Sequence, residues 1–450
     1  MTSGRQLLTR FSRPVPRYTS YPTAPHFHGG ISAGDVAGWM RGLEAGQSLS
    51  LYVHIPYCDR LCWFCACHTK HTLRYAPIAS YLESLKREIE TVGALVSPDV
   101  RVTALHWGGG SPTMLKPADM RALMGWLRTA FHFADDAEIS VEMDPNDLDD
   151  ARYDALADIG VTRASLGVQD FDEKVQKTIN RLQSFEQTAA VISAMRARGV
   201  RSVNCDLLYG LPYQSLETLT HTVEQIISLR PDRIALFGYA HVPWMKKHQT
   251  LIPEDALPDA AARFEQMTLA GELLANAGYD QIGIDHFALP GDSLARAAKS
   301  GRLRRNFQGY TDESADALIG LGASSISEVP QGYWQNMPAI GEYRRLAEAG
   351  DLPVVRGIAL DDEDRMRGFV IEKVMCAYGF SSCELRARFG AAAGPVIEEA
   401  RAYARQNPDV CSFDAFGFRL QKDAFPFARS VAAHFDTYLE GGRGRHSAAV

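Results

Sequence analysis

The stretch Tyr52–Cys67, YVHIPYCDRLCWFCAC, constrains this chain more than any other. Four of the eight cysteines fall in it: Cys58, Cys62, Cys65 and Cys67. Three residues separate the first two and two residues separate the next two. An apolar, β-prone run, Leu49 to Ile55, leads into them. Pro56 ends any strand there, because it has no N–H to give a ladder. The cysteines therefore sit on a loop at the carboxyl end of a strand, where α/β proteins place ligands. Disulfides fit poorly, since no secretory signal precedes the cluster and cysteines so close in sequence are badly placed to bridge one another. Structural zinc usually takes two CxxC-like pairs, or a pair plus two histidines. Here there is one cluster and no second pair, although His54, His68 and His71 keep zinc open. An iron–sulfur cluster held by thiolates fits better. Three sulfur ligands would leave one iron of a 4Fe–4S cube open for another group.

The chain has 450 residues, enough for two or three domains. Hydrophobic residues make up 46% and charged residues 22%, an ordinary globular balance. A net charge of −7 argues against nucleic acid as a partner. No apolar run approaches the length that spans a bilayer. The segment MTSGRQLLTRFSRP lacks the apolar core of an export signal, so a reducing cytoplasm is expected for the cysteines. Cys205, Cys376, Cys383 and Cys411 are scattered and read as small buried hydrophobes.

Residues 1–35 show no helical or strand period, and Pro14, Pro16, Pro22 and Pro25 favour extended chain. Tyr18, Tyr21 and Phe27 argue for some packing of this arm on the body. Strand-like runs then recur at Leu49–Ile55, Val102–Trp107, Ala137–Met143, Ala164–Val168, Ser202–Leu207 and Arg233–Tyr239. Helical patterns lie between them at Ile78–Val92, Ala118–Ala130, Phe185–Arg198 and Leu216–Leu229. Strands alternating with helices mean βαβ units and a parallel sheet. The expected fold is α/β: a partial (β/α)6 TIM-like barrel with an N-terminal arm and a small α-rich C-terminal domain. The divisions are 1–35 for the arm, 36–290 for the barrel, 291–360 for a Gly-rich, loop-like segment that completes it on the substrate side, and 361–450 for the C-terminal domain. SSCELRARFG followed by FDAFGFRL mimics a winged helix, but no basic stripe accompanies it, so covering the barrel is the expected task.

Residues just past each strand carry the chemistry in such folds. Gly108-Gly109-Gly110-Ser111 follows the second strand and offers close backbone approach and N–H groups to an anion. Glu142-Met143-Asp144 follows the third, with Glu142 placed to accept hydrogen bonds from ribose hydroxyls. Gln169, then Asn180 and Arg181, follow the fourth. Asp206 and Tyr239-Ala240-His241 mark the fifth and sixth.

At this point the residues carry a family likeness. CxxxCxxC after a strand resembles the radical S-adenosylmethionine superfamily. The fuller string HIPYCDRLCWFCACHTK is similar to the oxygen-independent coproporphyrinogen III oxidase (dehydrogenase) family within it, marked by a fourth cysteine two places after the third, here Cys67. Trp63, Ala66 and His68 depart from the more usual Tyr, Gly and Asn without touching a ligand. The likeness runs from Arg13 to Leu439 through RYTSYPT, LHWGGGSPT, EMDPN, SLGVQDFD, NRLQ, DLLYGLP, FGYAHVP, DHFALP, NFQGYT, GASSIS and HFDTYL.

The resemblance implies the same six-unit partial barrel and the RYTSYPT arm laid over the active site. It implies a 4Fe–4S cluster on Cys58, Cys62 and Cys65, with Cys67 left out. It also implies two adenosylmethionine molecules side by side. The first, on the open iron, would meet Tyr52, Gly109, Glu142 and Ile326. The second would meet Phe64, Gly110, Ser111, Gln169, Arg181, Asp206 and Ala240. The implied reaction is anaerobic: a 5′-deoxyadenosyl radical takes hydrogen from a propionate of coproporphyrinogen III, carbon dioxide leaves, and two such events give protoporphyrinogen IX. No side-chain general base is required, so no residue is assigned as catalytic in its own right. The implied partners are that substrate and a low-potential electron donor, with a monomer as the working unit. Four substrate carboxylates call for basic residues, and Arg13, Arg17, Lys70, Arg304 and Arg305 are the candidates. Three alternatives stand beside this one: a related haem chaperone, a radical enzyme on another tetrapyrrole, and a zinc-binding interaction protein.

Overall fold

The computed structural model describes residues 2–439. Six strands form the heart of the fold: β1 (Ser48–Ile55), β2 (Arg101–Gly109), β3 (His132–Met143), β4 (Arg163–Gln169), β5 (Ser202–Tyr209) and β6 (Arg233–Gly238). They lie side by side in chain order and all run parallel. Helices Ala76–Gly93, Pro117–Ala130, Phe185–Ala197 and Leu216–Leu229 stand where the apolar period places them. Ser184 and Ser215 each close a capping box at a helix start, so local chemistry and global fold agree there. The intervening helix Asp150–Asp158 escapes the pattern, because only Ala155 and Leu156 of its nine residues are buried.

Each strand sorts its residues between two faces. In β4, Ala164, Leu166 and Val168 are buried under the helices, while Ser165, Gly167 and Gln169 face the other way and stay partly open. The parallel register carries this alternation from strand to strand: Tyr52 pairs with His106, His106 with Ser140, Glu142 with Ser165 and Gly167 with Asp206. A closed eight-stranded barrel packs its interior with side chains. Here Tyr52, His106, Glu142, Gln169 and Asp206 all keep partial exposure, so the curved sheet encloses a cleft.

Residues 291–360 hold more regular structure than their loop-like composition suggests. β7 (Ala317–Leu321) adds to the free side of β1 in parallel, and β8 (Ile326–Val329), β9 (Gly332–Asn336) and β10 (Val354–Ala359) follow antiparallel. All five residues of β7 are buried, so it has no polar–apolar alternation by which to be recognised. On the other edge, Asp280–Ile282 and His286–Ala288 continue the sheet past β6 to twelve strands.

The arm differs from its sequence expectation. Thr2–Phe11 is a helix, and a second helix, Ala33–Arg41, starts from a Ser32–Asp35 capping box. A ten-residue helix is marginal alone. Leu7, Leu8 and Phe11 bury against the C-terminal domain, and that packing, invisible in the local sequence, stabilises it. The C-terminal domain runs helix Asp362–Ala377, β11 (Gly379–Ser381), helices Ser382–Phe389 and Ala393–Gln406, then β12 (Cys411–Phe413) and β13 (Gly417–Leu420), a winged-helix order. Arm and domain share one core, and Tyr18 donates to Asp436 at 2.9 Å across it.

Glu88, fully buried on helix Ala76–Gly93, joins the added strands to the barrel. Its carboxylate accepts from Gly322 N–H just past β7 (2.7 Å), from Asn336 of β9 (2.6 Å) and from the Tyr343 hydroxyl (2.6 Å). A buried donor stripped of its acceptor costs about 1–3 kcal/mol. Glu88→Ala strands the Gly322 N–H and takes an acceptor from the Tyr343 hydroxyl, while Asn336 keeps Gly322 O and Ser325 Oγ, so we expect a destabilisation of about 1–3 kcal/mol or more, read as a lower denaturant midpoint. A midpoint within error of wild type would show that the network is dispensable.

Candidate functional site

The cysteine loop leaves β1 and is closed at its base by a two-residue parallel bridge, Tyr57–Cys58 with Lys70–His71. Cys58 Sγ lies 3.1 Å from the Thr69 hydroxyl, and Cys67 N–H donates to Cys65 Sγ at 3.4 Å. The loop's carbonyls are taken up from across the mouth: Leu61 by Asn180 (2.9 Å), Phe64 by Gln249 (2.9 Å), Cys65 by His248 (2.7 Å) and Cys67 by Lys246 (2.9 Å). Burial pushes the Cys58 thiol up to about 12, so a thiolate there needs a cation bound to it, as an iron–sulfur cluster supplies. No three His, Cys, Asp or Glu side chains among the described residues converge as on a single ion. A cube, whose thiolates each bond a different iron, asks for a wider set.

Beside the loop, Tyr52, Gly109 and Glu142 form one connected group. Tyr52 stacks on His106 (ring centroids 5.7 Å, interplanar angle 13°) and its hydroxyl meets His54 Nδ1 at 3.0 Å. Burial holds His54 down at about 4, so its imidazole is neutral. Nε2–H then donates to the His68 carbonyl (2.9 Å) and Nδ1 accepts from Tyr52. Glu142 receives His106 Nε2 (3.2 Å) and Gly109 N–H (3.1 Å). Burial raises its carboxyl, but these donors outweigh burial and leave it below the ordinary range, ionised. Ile326 stands at the start of β8, packed on the arm's Phe27 and on Tyr333.

The glycine loop works differently from its sequence expectation. Gly110 N–H donates to Ile55 O (2.8 Å) and Ser111 N–H to Tyr57 O (2.7 Å), while Gly109 N–H is already on Glu142. These donors are spent inside the protein, so an anion finds none of them free. A Cβ on Gly110 would stand 2.4 Å from Tyr57 O, which makes glycine obligatory there.

The second set gathers around Arg181. Its guanidinium pairs with buried Asp144 (2.8 Å), donates to Gly167 O (2.5 Å) and lies 3.7 Å from Cys62 Sγ. Arg181 Nε is buried with no hydrogen-bond partner. Gln169 takes a left-handed backbone (φ 72°), and its Nε2 lies 3.0 Å from where a Gly167 Cβ would stand. Gln249 bridges Phe64 O and Ala240 O (2.9 and 3.3 Å), which brings those two distant positions together. Ser111 Oγ lies 3.0 Å from the Thr113 hydroxyl. Asp206 is raised by burial to about 7, despite a 2.7 Å hydrogen bond from Asn204.

Of the basic candidates, Arg13 and Lys70 are exposed and Arg304 pairs with Glu372 at 2.7 Å. Arg17 and Arg305 are joined, since Arg305 donates to the Arg17 carbonyl (3.3 and 3.4 Å). His106, Asn204, His248 and Gln249 go unread in the sequence, which offers His54 only to zinc and Asp144 only as part of the loop after the third strand. His106 and Asn204 had a usable signal, since each alternates with buried apolar neighbours on its strand. Gln249 had none. Of the scattered cysteines, Cys205 and Cys411 are buried as expected, whereas Cys376 is half-buried and Cys383 exposed.

Residues 52–226 match the Radical SAM superfamily. The chain is 47% identical to the oxygen-independent coproporphyrinogen III oxidase of Paracoccus denitrificans, over 100% of this chain and 99% of the relative. It is 40% identical to the protein of that name from Pseudomonas aeruginosa, over 96% of this chain and 95% of the relative. Among solved structures, the coproporphyrinogen III oxidase of Escherichia coli, described as a radical SAM enzyme, superposes with a TM-score of 0.90 at 35% identity, covering 94% of this chain and 97% of that one.

Two tests follow from the geometry. Arg181→Gln leaves Asp144 buried without its cation, a loss of about 3–5 kcal/mol, so the metal-free chain should unfold at clearly lower denaturant. An unchanged midpoint would mean that the pair is not structural. Asp206 binds its proton more tightly folded than unfolded, so its contribution to stability is present below its ordinary carboxyl range and is lost as pH rises towards about 7. Asp206→Asn should therefore raise the melting temperature more at pH 8 than at pH 5. A gain independent of pH would contradict the raised carboxyl.

Proposed function

Because the chain belongs to the oxygen-independent coproporphyrinogen III oxidase family of radical S-adenosylmethionine enzymes, we propose that it decarboxylates two propionates of coproporphyrinogen III to vinyl groups without oxygen, giving protoporphyrinogen IX for haem synthesis. The observation that carries this is the three-cysteine loop set at the mouth of a polar, partly open barrel cleft. Cys58, Cys62 and Cys65 would hold a 4Fe–4S cluster. When bound, that cluster and adenosylmethionine supply a reducing electron and a carbon radical able to take a hydrogen atom. The protein's part is to hold, orient and exclude water.

Glu142, ionised and aimed by His106, suits a ribose hydroxyl donor, and the carbonyls of Gly109 and Gly110 suit the methionyl amine. Asp206, on the edge of ionisation, is able to donate or to accept. Arg181 stands between Cys62 and the Asp144 loop, with Nε unspent. Two groups of residues, Tyr52, Gly109, Glu142 and Ile326 on one side and Phe64, Gly110, Ser111, Gln169, Arg181, Asp206 and Ala240 on the other, support two adenosylmethionine molecules. The working unit in this proposal is a monomer in the reducing cytoplasm, fed by a low-potential one-electron donor. Eight free cysteines fit that compartment.

Anaerobic reconstitution with iron and sulfide, then product analysis on coproporphyrinogen III, tests the reaction. Protoporphyrinogen IX and carbon dioxide in a 1:2 ratio are expected, and no conversion by an iron-replete protein refutes it. Cys58→Ser, Cys62→Ser and Cys65→Ser should each lose bound iron while Cys67→Ser keeps it. Iron loss in the Cys67 variant alone would reverse the ligand assignment. Equilibrium dialysis should find two adenosylmethionine molecules per chain in the active protein, and one would overturn the paired arrangement alone.

A further inference from the structure

The described residues contain a concentration of positive charge, from exposed Arg17 through half-buried Arg263 and Arg305 to buried Arg429, that the cluster and adenosylmethionine do not use. It begins where β5 and β6 end. Arg263 donates to the Tyr239 carbonyl at 2.8 Å and stands 5.8 Å over the Tyr209 ring. Tyr209 closes β5, three residues past Asp206, and Tyr239 precedes Ala240. Arg305 lies 4.4 Å over the Tyr310 ring and donates to the Arg17 carbonyl. Arg429 donates to the two carbonyls before that one, Pro16 at 2.9 Å and Val15 at 2.6 Å. The arm is thus clamped by its backbone, and the Arg17 side chain is left exposed.

Three guanidinium groups, those of Arg17, Arg305 and Arg429, feel the charge of one carboxylate, Asp285, and Arg263 stands near Arg17. Asp285 sits among them, and His286 Nδ1 already holds it at 2.7 Å. Burial holds the Arg429 guanidinium down at about 10, and the charges of Arg17 and Arg305 push the same way. Arg17 lies close enough to Asp285, Arg305 and Arg263 to feel the charge of each. Arg263 Nε and Arg305 Nη1 are both out of solvent without a hydrogen-bond partner. Like charges gathered in a protein interior are costly unless an anion joins them. A planar guanidinium fork matches a carboxylate.

We propose that Arg17, Arg263 and Arg305 bind the propionate carboxylates of the substrate that do not react, with Arg429 positioning the arm that delivers Arg17. This rests on the tetrapyrrole reaction above. Four propionates less two decarboxylations leave two that must be held through both turnovers. A basic group on the β5–β6 side of the mouth grips that end of the macrocycle and leaves the reacting propionate directed towards the cysteine loop. Arg17 is supplied by the arm, so substrate affinity depends on the arm being docked on the C-terminal domain.

The test uses coproporphyrin III, the stable oxidised form, titrated by fluorescence into the reconstituted holoenzyme, with its tetramethyl ester alongside. Arg17→Gln and Arg305→Gln should each weaken the acid about tenfold or more, the size of a lost charge-assisted hydrogen bond. The ester should bind wild type weakly and ignore both substitutions. Iron content and adenosylmethionine binding should not change, and Arg305→Lys should recover part of the affinity. In turnover the loss should fall on KM, with kcat largely kept. Unchanged affinity in both variants, or an ester that binds as well as the acid, overturns the site and leaves the oxidase assignment standing. A wild type that binds the acid through these arginines yet never converts coproporphyrinogen III would leave the site standing and remove the reaction.

Discussion

Beyond the two-residue bridge at its base, the cysteine loop has no helix or sheet to satisfy its backbone, and it is held by its carbonyls. Leu61, Phe64, Cys65 and Cys67 each hand a carbonyl oxygen to a side chain from the loops after β4 and β6. Irregular backbone away from water must find such partners. The result is a loop fixed to the opposite side of the barrel mouth, so that Cys62 comes within 3.7 Å of Arg181 and Phe64 shares Gln249 with Ala240. Asn180, Lys246, His248 and Gln249 bear no chemistry in themselves, yet the thiols are placed by them.

The partial barrel matters because it is not filled. Its inward positions are His, Glu, Gln, Asn and Asp, with partial exposure, where a closed barrel would carry interlocked aliphatic layers. Two carboxylates in this one cleft have opposite fates. Glu142 has two donors that overcome burial, whereas Asp206 has one from Asn204 and does not. Environments that push a pair of titratable groups apart assign them different tasks. Glu142 remains a fixed anion and Asp206 a group that loses or keeps its proton near neutrality.

Charge is sorted across the mouth as well. The thiols, Glu142 and Asp144 lie on the side of β1 to β4, and Arg263, over Tyr209 and on the Tyr239 carbonyl, lies on the side of β5 and β6. The arm bridges the two domains: its helix is buried against the winged-helix unit, and its carbonyls at Val15, Pro16 and Arg17 are held by Arg429 and Arg305. The winged-helix order of the C-terminal domain is here put to intramolecular packing, with Leu7, Leu8, Phe11 and Tyr18 as its partners.

Sequence alone was enough for the six parallel strands, four of their helices and the cysteine loop past β1. Periods of two and 3.6 and a proline after a strand are local signals that survive into the fold. Composition misled at β7, whose five buried residues carry no alternation, and at the arm, whose helix exists only because a domain some 350 residues later covers it. The glycine loop shows the same divide within three residues. That glycine is needed there is written in GGG, but that its N–H groups face inward to Ile55, Tyr57 and Glu142 is decided by the register of β1 against β2. Arg17 and Arg305 were visible as charges, and Arg304 looked no different. Only the folded chain separates them, because Arg304 is paired with Glu372 whereas Arg305 keeps a buried Nη1 without a partner and holds the Arg17 carbonyl, and those neighbours come from distant segments.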